Sequence, residues 1–430
     1  SELGFALRLV ALAIPTGLAF FILFPRLASP LWGIPETTLD SKSGLSDSMT
    51  PGSIQQMFMD DSPAFRVTFE GRVPPLQERY WRGPVFWSFD GETWRENFYS
   101  RALEAEALPD ETGPAVYRYT VQVEPNERKW LFSLDYPTGA PPRSRVTLDY
   151  QIKRRDPIIQ LLEYDMVSNP DFGDYANELP FELRLEALDL PDGYNPQTRR
   201  MIEQWKSEAN DDRELVDRAY RYFSQDPFRY TLNPPLLGRD TVDEFLFDSK
   251  AGFCEHYASS FAVMMRMADI PSRIVTGYMG GFYNEMGEYM LVRQSDAHAW
   301  VEVWLEGEGW IAVDPTAAVS PSRIDNGSLS AVEGPRYLLD FPWLRNAKNS
   351  VDIVQQRWND WIIEYNAGRQ ADLLKNFGMG SMTPGTLILL LVLAVAISAL
   401  VVVPLVLRIR GPQERDPARR AWLRFLKRLE

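Results

Sequence analysis

The chain has 430 residues, 45% of them hydrophobic, and a formal net charge of −14; that is too long for one compact core, so two or more folded units are expected. An acidic chain argues against a nucleic-acid partner, which needs a basic surface. One Cys and two His exclude an internal disulfide framework and multi-Cys zinc sites, and they leave little material for any transition-metal site, so no cofactor is expected.

The run Phe5–Leu23 is apolar apart from Arg8 and is broken by Pro15. It reads as a membrane span within a segment 1–27, being too long and too poorly supplied with a cleavage site for a signal peptide. The chain begins with Ser1, so the natural protein is expected to extend upstream with further spans. Residues 28–62 carry Pro, Gly, Ser and Thr without periodicity and read as an extended linker. Over 63–155 short alternating runs follow, FRVTF, VFWSF, AVYRYTVQV, KWLFSL and RVTLDYQI, separated by turn signals such as Asp90-Gly91. They predict a small all-β domain whose aromatic load is a core or a carbohydrate-binding surface.

A catalytic domain is expected over 156–335. Asn195-Pro196 is a helix start, and helices are predicted through RRMIEQWKSEA and RELVDRAYRYF. Thr241 to Glu244 reads as a capping box. In KAGFCEHYASSF, Cys254 precedes Ala258, Phe261, Ala262 and Met265 at helical spacing, which places it at the start of a buried helix. There the helix dipole and free N–H groups would lower the thiol pKa and could hold an oxyanion. On the residue alone, a small buried hydrophobe is an equal reading. His256 is a poor partner, because positions i and i+2 of a helix do not face each other; packing or capping suits it better.

The other histidine, His298, lies in SDAHAWVEVWLEGEGWIAVDPT, which alternates as a hairpin with Asp314 near the end of its second strand. Register decides whether they meet. Leu305 opposite Trp310 would put His298 and Asp314 on opposite faces. Leu305 opposite Gly309 makes Asp314 a diagonal neighbour of His298 on one face, and Trp304 opposite Glu308 sets them directly opposite. The site therefore requires a loop of odd length, or a bulge, at EGEG. Cys254, His298 and Asp314 would then be nucleophile, base and orienting carboxylate.

Beyond these motifs, VDIVQQRWNDWIIEY (351–365) has helical spacing within a connector over 336–383. The uncharged run 386–407, in a segment 384–407, is long enough for a transmembrane helix. Residues 408–430 hold eight Lys/Arg against three Asp/Glu, which puts this end in the cytoplasm and the body of the chain on the far side of a bacterial inner membrane, in the periplasm. The segment AWLRFLKRLE reads as a basic amphipathic helix on membrane lipid, or as the start of a longer cytoplasmic part.

GFCEHYASSFAVMMRMADIPSRIVTGY, SDAHAWVEVW and GWIAVDPT, in that order, resemble the transglutaminase-like superfamily over roughly residues 195–320, and the spans, β-rich segment and basic tail are similar to its bacterial membrane-bound TgpA type. The resemblance implies an α+β, papain-like core with a helix-borne Cys254 packed on an antiparallel sheet, beside the small all-β domain and flanking transmembrane helices. It implies a protein-glutamine γ-glutamyltransferase: Cys254 attacks a glutamine carboxamide, His298 holds the thiolate and protonates the departing ammonia, and Asp314 fixes the imidazole. The partners would be a protein or peptide glutamine donor of the cell envelope and an amine acceptor. The family adds an oxyanion-donating Trp; Trp205 lies too far back to match, so the Tyr230 hydroxyl is the substitute, against a plain core role. Trp300 would wall the acyl tunnel, against simple strand packing. Animal members need calcium, but Asp211-Asp212 reads as a solvated surface. A cysteine protease or amidase would use the same triad, and a catalytically idle membrane scaffold is the remaining reading.

Overall fold

The structure, a computed structural model, describes residues 14–24, 45–320 (except 54, 56, 98, 99, 101, 173, 174, 176 and 286), 370, 373–375, 384–409 and 417–426. It divides into two compact units: Thr38–Asn349, and Ser1–Thr37 with Ser350–Glu430.

The larger unit is built on two antiparallel five-stranded sheets. Its strands are β1 (Pro63–Phe69), β2 (Tyr80–Phe86), β3 (Tyr117–Val123), β4 (Trp130–Leu131), β5 (Ser133–Leu134), β6 (Ser144–Val146), β7 (Ile152–Arg154), β8 (Leu162–Ser168), β9 (Ser272–Met279), β10 (Phe282–Asn284), β11 (Tyr289–Arg293), β12 (Ala297–Leu305) and β13 (Gly309–Val313). One sheet runs β8-β3-β1-β11-β10 and the other β13-β12-β9-β2-β5, while β4-β7-β6 form a third, smaller sheet. Phe65 of the first sheet meets Trp81 and Tyr278 of the second edge-on, each at 5.4 Å between ring centroids.

This topology corrects the expected domain boundary at 155. β2 pairs with β9, and β1 pairs with β11, so each sheet draws strands from both halves of the chain. A β-rich segment that spends its central strands in the other half's sheets cannot close a core of its own. The linker is corrected too: within 45–62, Ser48–Met49 pairs with Trp94-Arg95, and Leu45, Met49, Met57 and Phe58 are buried. Their apolar side chains give that segment a reason to pack despite its lack of periodicity. The helix expected at 351–365 lies outside the described residues.

The helices are α1 (Phe181–Leu188), α2 (Pro196–Glu208), α3 (Asp212–Gln225), α4 (Cys254–Met267) and α5 (Pro315–Val319). All fourteen residues of α4 are buried, so it is a central helix without a solvent face. Two of its polar members are tied to neighbouring elements: Ser259 accepts from the Trp94 indole at 2.9 Å, and the terminal nitrogens of Arg266 donate to the carbonyls of Trp87, Asp189 and Ser272. Asn195 does precede α2, but with φ 51 it does not cap it. Its Oδ1 accepts from the backbone N–H groups of Val242 and Asp243, while the Asp243 carboxylate accepts from Gln197 and Thr198 at the start of α2. The two helix starts thus cap each other. Thr241 is accordingly the first residue of its short helix rather than the cap expected of it, and Asp240 precedes it. Asp211 caps α3 by accepting from Glu214 N–H.

In the smaller unit, residues 14–23 are helical, as are α6 (Pro384–Ile409) and α7 (Pro417–Leu426). Thr16 and Ser398 share a hydroxyl hydrogen bond. Among the described residues no helix is long and apolar enough to cross a membrane.

Candidate active site

Phe253 is extended and Cys254 is the first residue of α4, where backbone N–H groups lack intrahelical partners. Gly252 makes the entry possible, since a Cβ there would stand 2.7 Å from that of His256. His256, at the third helical position, accepts from Phe253 N–H through Nδ1 at 3.4 Å and packs on the Phe245 and Phe253 rings. Burial pushes its pKa down to about 4, so it is a neutral capping residue, as its spacing from Cys254 requires.

The hairpin closes as the site demands. Leu305 stands opposite Gly309 and Trp304 opposite Trp310, leaving a three-residue loop whose Gly307 has φ 84. Asp314, the residue after β13, is then diagonal to His298, and its Oδ2 lies 2.7 Å from His298 Nε2. Asp314 also accepts from the Tyr80 hydroxyl at 3.0 Å and from Thr316 N–H at 3.0 Å. Burial alone would raise its carboxyl pKa, but the His298 charge and these donors outweigh burial and hold it below the usual range. An ionised Asp314 can only accept, so Nε2 is the nitrogen that donates to it, and in the neutral imidazole Nδ1 keeps the lone pair. That Nδ1 is buried and has no hydrogen-bond partner among the described residues.

α4 packs along β12. The Cys254 thiol lies within hydrogen-bonding reach of the backbone N–H of Ala299, the residue next to His298. Both Cys254 and His298 are wholly buried. The expected low thiol pKa is corrected here. Burial pushes it well above the ordinary value, the carboxylates of Glu255 and Asp314 push the same way, and the N–H groups of Ala299 and Glu255 only partly oppose them. A helix N-terminus cannot ionise a thiol that has been removed from water beside two carboxylates.

The remaining predicted positions separate. Tyr230 pairs with Gly252 in a short parallel strand contact, two residues ahead of Cys254. Trp300 shares the His298 face, its ring stacked 6.3 Å from the imidazole and edge-on to Tyr80 at 5.3 Å. It is also buried among Val85, Trp87 and Trp310, so it backs the imidazole and fills the core at once. Trp205 packs on Tyr222 beneath Arg218, in the α2–α3 pair. Tyr80 carried no signal in the sequence, because it reaches Asp314 through pairing of β2 with β9. A tight bulge helps: β2 and β9 slip register between Val275 and Gly277, and a Cβ at Gly277 would collide with the Trp81 carbonyl. Glu255 was likewise missed; it is buried and accepts from Gly52 N–H at 2.8 Å and Ser53 Oγ at 2.6 Å. Among the described residues no group of three or more His, Cys, Asp or Glu side chains is placed to hold a metal ion.

Comparison with known proteins bears on this geometry. The family model of the TgpA N-terminal domain matches residues 1–173, and that of the transglutaminase-like superfamily matches 199–315. A protein-glutamine gamma-glutamyltransferase of Pseudomonas aeruginosa is 37% identical over 397 residues, 90% of this chain and 59% of its own. An uncharacterized protein, YebA, of Bacillus subtilis is 26% identical over 311 residues, 64% of this chain and 40% of its own. This chain therefore spans less than two thirds of either relative. The crystal structure of the periplasmic domain of TgpA from Pseudomonas aeruginosa superposes with a TM-score of 0.64 at 39% identity, covering 67% of this chain and 99% of that one. Its ethylmercury-bound form gives 0.62, also at 39% identity, over 66% and 100%.

Proposed function

The chain belongs to the transglutaminase-like superfamily, as a homologue of a protein-glutamine gamma-glutamyltransferase with a transglutaminase-like core, and from that premise we propose that it transfers the acyl group of protein-bound glutamine through Cys254. The observation that carries this reading is the His298–Asp314 bond through Nε2, which leaves a buried, unpartnered Nδ1 on the strand whose next N–H meets the thiol.

The raised thiol pKa changes how the first step runs. Cys254 rests as the neutral thiol, so His298 Nδ1 acts as a general base during attack rather than holding a preformed thiolate. Sγ bonds to the carboxamide carbon as Nδ1 takes the thiol proton. The oxyanion turns to the Cys254 N–H, with Tyr230 assigned as the neighbouring contact. Collapse breaks the C–N bond, Nδ1 returns the proton to nitrogen, and ammonia leaves behind a thioester. A primary amine then attacks, Nδ1 removes its proton, and the thiol departs; water in place of the amine gives glutamate. Asp314 stays ionised throughout and stabilises the imidazolium, with Trp300 behind the ring.

The same reading anchors the protein in a bacterial inner membrane with this unit in the periplasm, its partners being cell-envelope proteins and amines. The exposed apolar side chains of α6, Leu389, Val392, Ile397 and Leu400 among them, support a lipid environment. Exposed Trp422 and Phe425 on α7, beside its arginines, suit a lipid surface on the cytoplasmic side.

The test incubates the full chain with a glutamine-bearing protein and a fluorescent primary amine. Amine incorporation by the wild type and none by Cys254→Ala is expected. Peptide-bond cleavage without incorporation would move the assignment to a cysteine protease, and neither activity would leave a scaffold.

A further inference from the structure

Cations gather along the small sheet β4-β7-β6. Register sets Lys153 of β7 opposite Trp130 on one side and Arg145 on the other. Just past the strand ends come Arg128, Arg155 and Arg143, with Arg155 N–H bonded to the Arg143 carbonyl at 3.2 Å. Together with Lys153, Arg145 and Trp130 they line one groove, while Leu131, Ile152 and Val146 are buried in the core. Like charges on neighbouring strands weaken a sheet. Lys153 has a carboxylate partner in Glu96, Arg143 in Asp156, and Arg128 in Asp47. Arg155 has none among the described residues, and neither have Lys129 and Arg154 just alongside.

The groove measures about 1240 Å³ and holds eight Lys/Arg against four Asp/Glu, in a chain whose net charge is −14. The volume exceeds the roughly 300–1,000 Å³ of small-molecule sites, and six of the eight cations are Arg, whose fork suits carboxylates. Alternate side chains of an extended peptide lie about 6.7 Å apart, so one such segment presents a carboxylate to the strand cations and the next to those past the strand ends.

We propose that this groove is a docking site for an extended acidic segment of a protein partner, whose alternate Asp or Glu carboxylates meet these two sets of cations. If the transferase reading holds, that partner is the glutamine-bearing substrate, captured by a surface separate from Cys254 and His298; only this identification of the partner depends on that reading.

The test measures binding of a fluorescein-labelled peptide of alternating Glu and Ser, about 12 residues long, to the full chain by anisotropy at about 150 mM salt. Saturable binding that weakens with added salt is expected. Arg155→Glu should weaken it at least about tenfold, Lys129→Glu should weaken it as well, and Arg155→Lys should restore most of it. Cys254→Ala should bind as the wild type does, and a wild type that binds the peptide but incorporates no amine counts against the transferase and not the groove. Absence of binding, insensitivity to both charge reversals, or binding of pyrophosphate or anionic vesicles but not the peptide would each overturn the proposal.

Discussion

The Tyr80 hydroxyl donates to Asp314 Oδ2 at 3.0 Å, across 234 residues of sequence and between a strand and the end of a hairpin that local pattern alone would assign to different domains. The same oxygen bonds His298 Nε2. Tyr80 is therefore a positioning residue, acting on the imidazole through the carboxylate. Tyr80→Phe should lower kcat about tenfold with KM little changed. It should also move the acid limb of the pH–rate profile upward. The carboxyl is held low in part by this donor, so losing it raises the folded pKa, and activity then fails at a higher pH as pH falls. A merely structural role would not move that limb.

Cys254 at a helix start and the odd hairpin loop were legible because both are local: helical spacing reads one face, and strand alternation with Gly307 and Gly309 restricts the register to cases that can be counted. Tyr80 was not legible, since pairing between β2 and β9 leaves no trace in the periodicity of either strand. The burial of Met57 and Phe58 and the ties from Gly52 and Ser53 to Glu255 are long-range for the same reason. The thiol pKa was misjudged because the helix start is visible in sequence, whereas desolvation and the proximity of Asp314 belong to the folded core. The superfamily resemblance supplied the chemistry that spacing alone left open between nucleophile and buried hydrophobe.

Glu302 ties the halves together. Two positions beyond Trp300 on the His298 face, its buried carboxylate accepts from Arg273 of β9 at 2.6 Å and from Arg82 of β2. Burial would raise its pKa, but the two guanidinium groups outweigh burial and keep it ionised. Glu302→Gln should lower unfolding stability by about 3–5 kcal/mol, because buried Arg273 loses the Glu302 charge and buried Arg82 keeps only that of Asp135. Chemical denaturation should show this as a lower midpoint with an unchanged slope. A loss below about 0.5 kcal/mol would mean that solvent reaches the network.

His256 should give the protein an acid-labile step of its own. Its pKa falls from about 6.5 when unfolded to about 4 in the fold, because the ring is buried. Between those values the unfolded chain binds a proton that the native state refuses, so stability falls as pH drops from about 6.5 toward 4, by up to about 3 kcal/mol. His256→Gln removes this proton uptake while keeping an acceptor for Phe253 N–H. Its Tm should therefore fall less steeply across that window than the wild type's, whatever its value at neutral pH. Parallel pH dependences in the two proteins would refute the assignment.

Cys254 should alkylate slowly near neutral pH and faster as pH rises, because burial and then Glu255 push its pKa up. The sign of Glu255→Gln follows: removing that charge lowers the thiol pKa and moves the iodoacetamide rate profile toward lower pH. Access complicates absolute rates, since the thiol is fully buried and Glu255 also holds Gly52 and Ser53. The midpoint of the profile is therefore the quantity to compare, and Ser53→Ala is the control that loosens the tie without removing the charge. If Ser53→Ala shifts the midpoint as far as Glu255→Gln does, solvent entry rather than the Glu255 charge governs the thiol. The result also decides what slow alkylation means. With a raised pKa, sluggish reaction at neutral pH is the behaviour expected of a competent nucleophile that waits for His298, so sluggishness alone does not favour an idle scaffold.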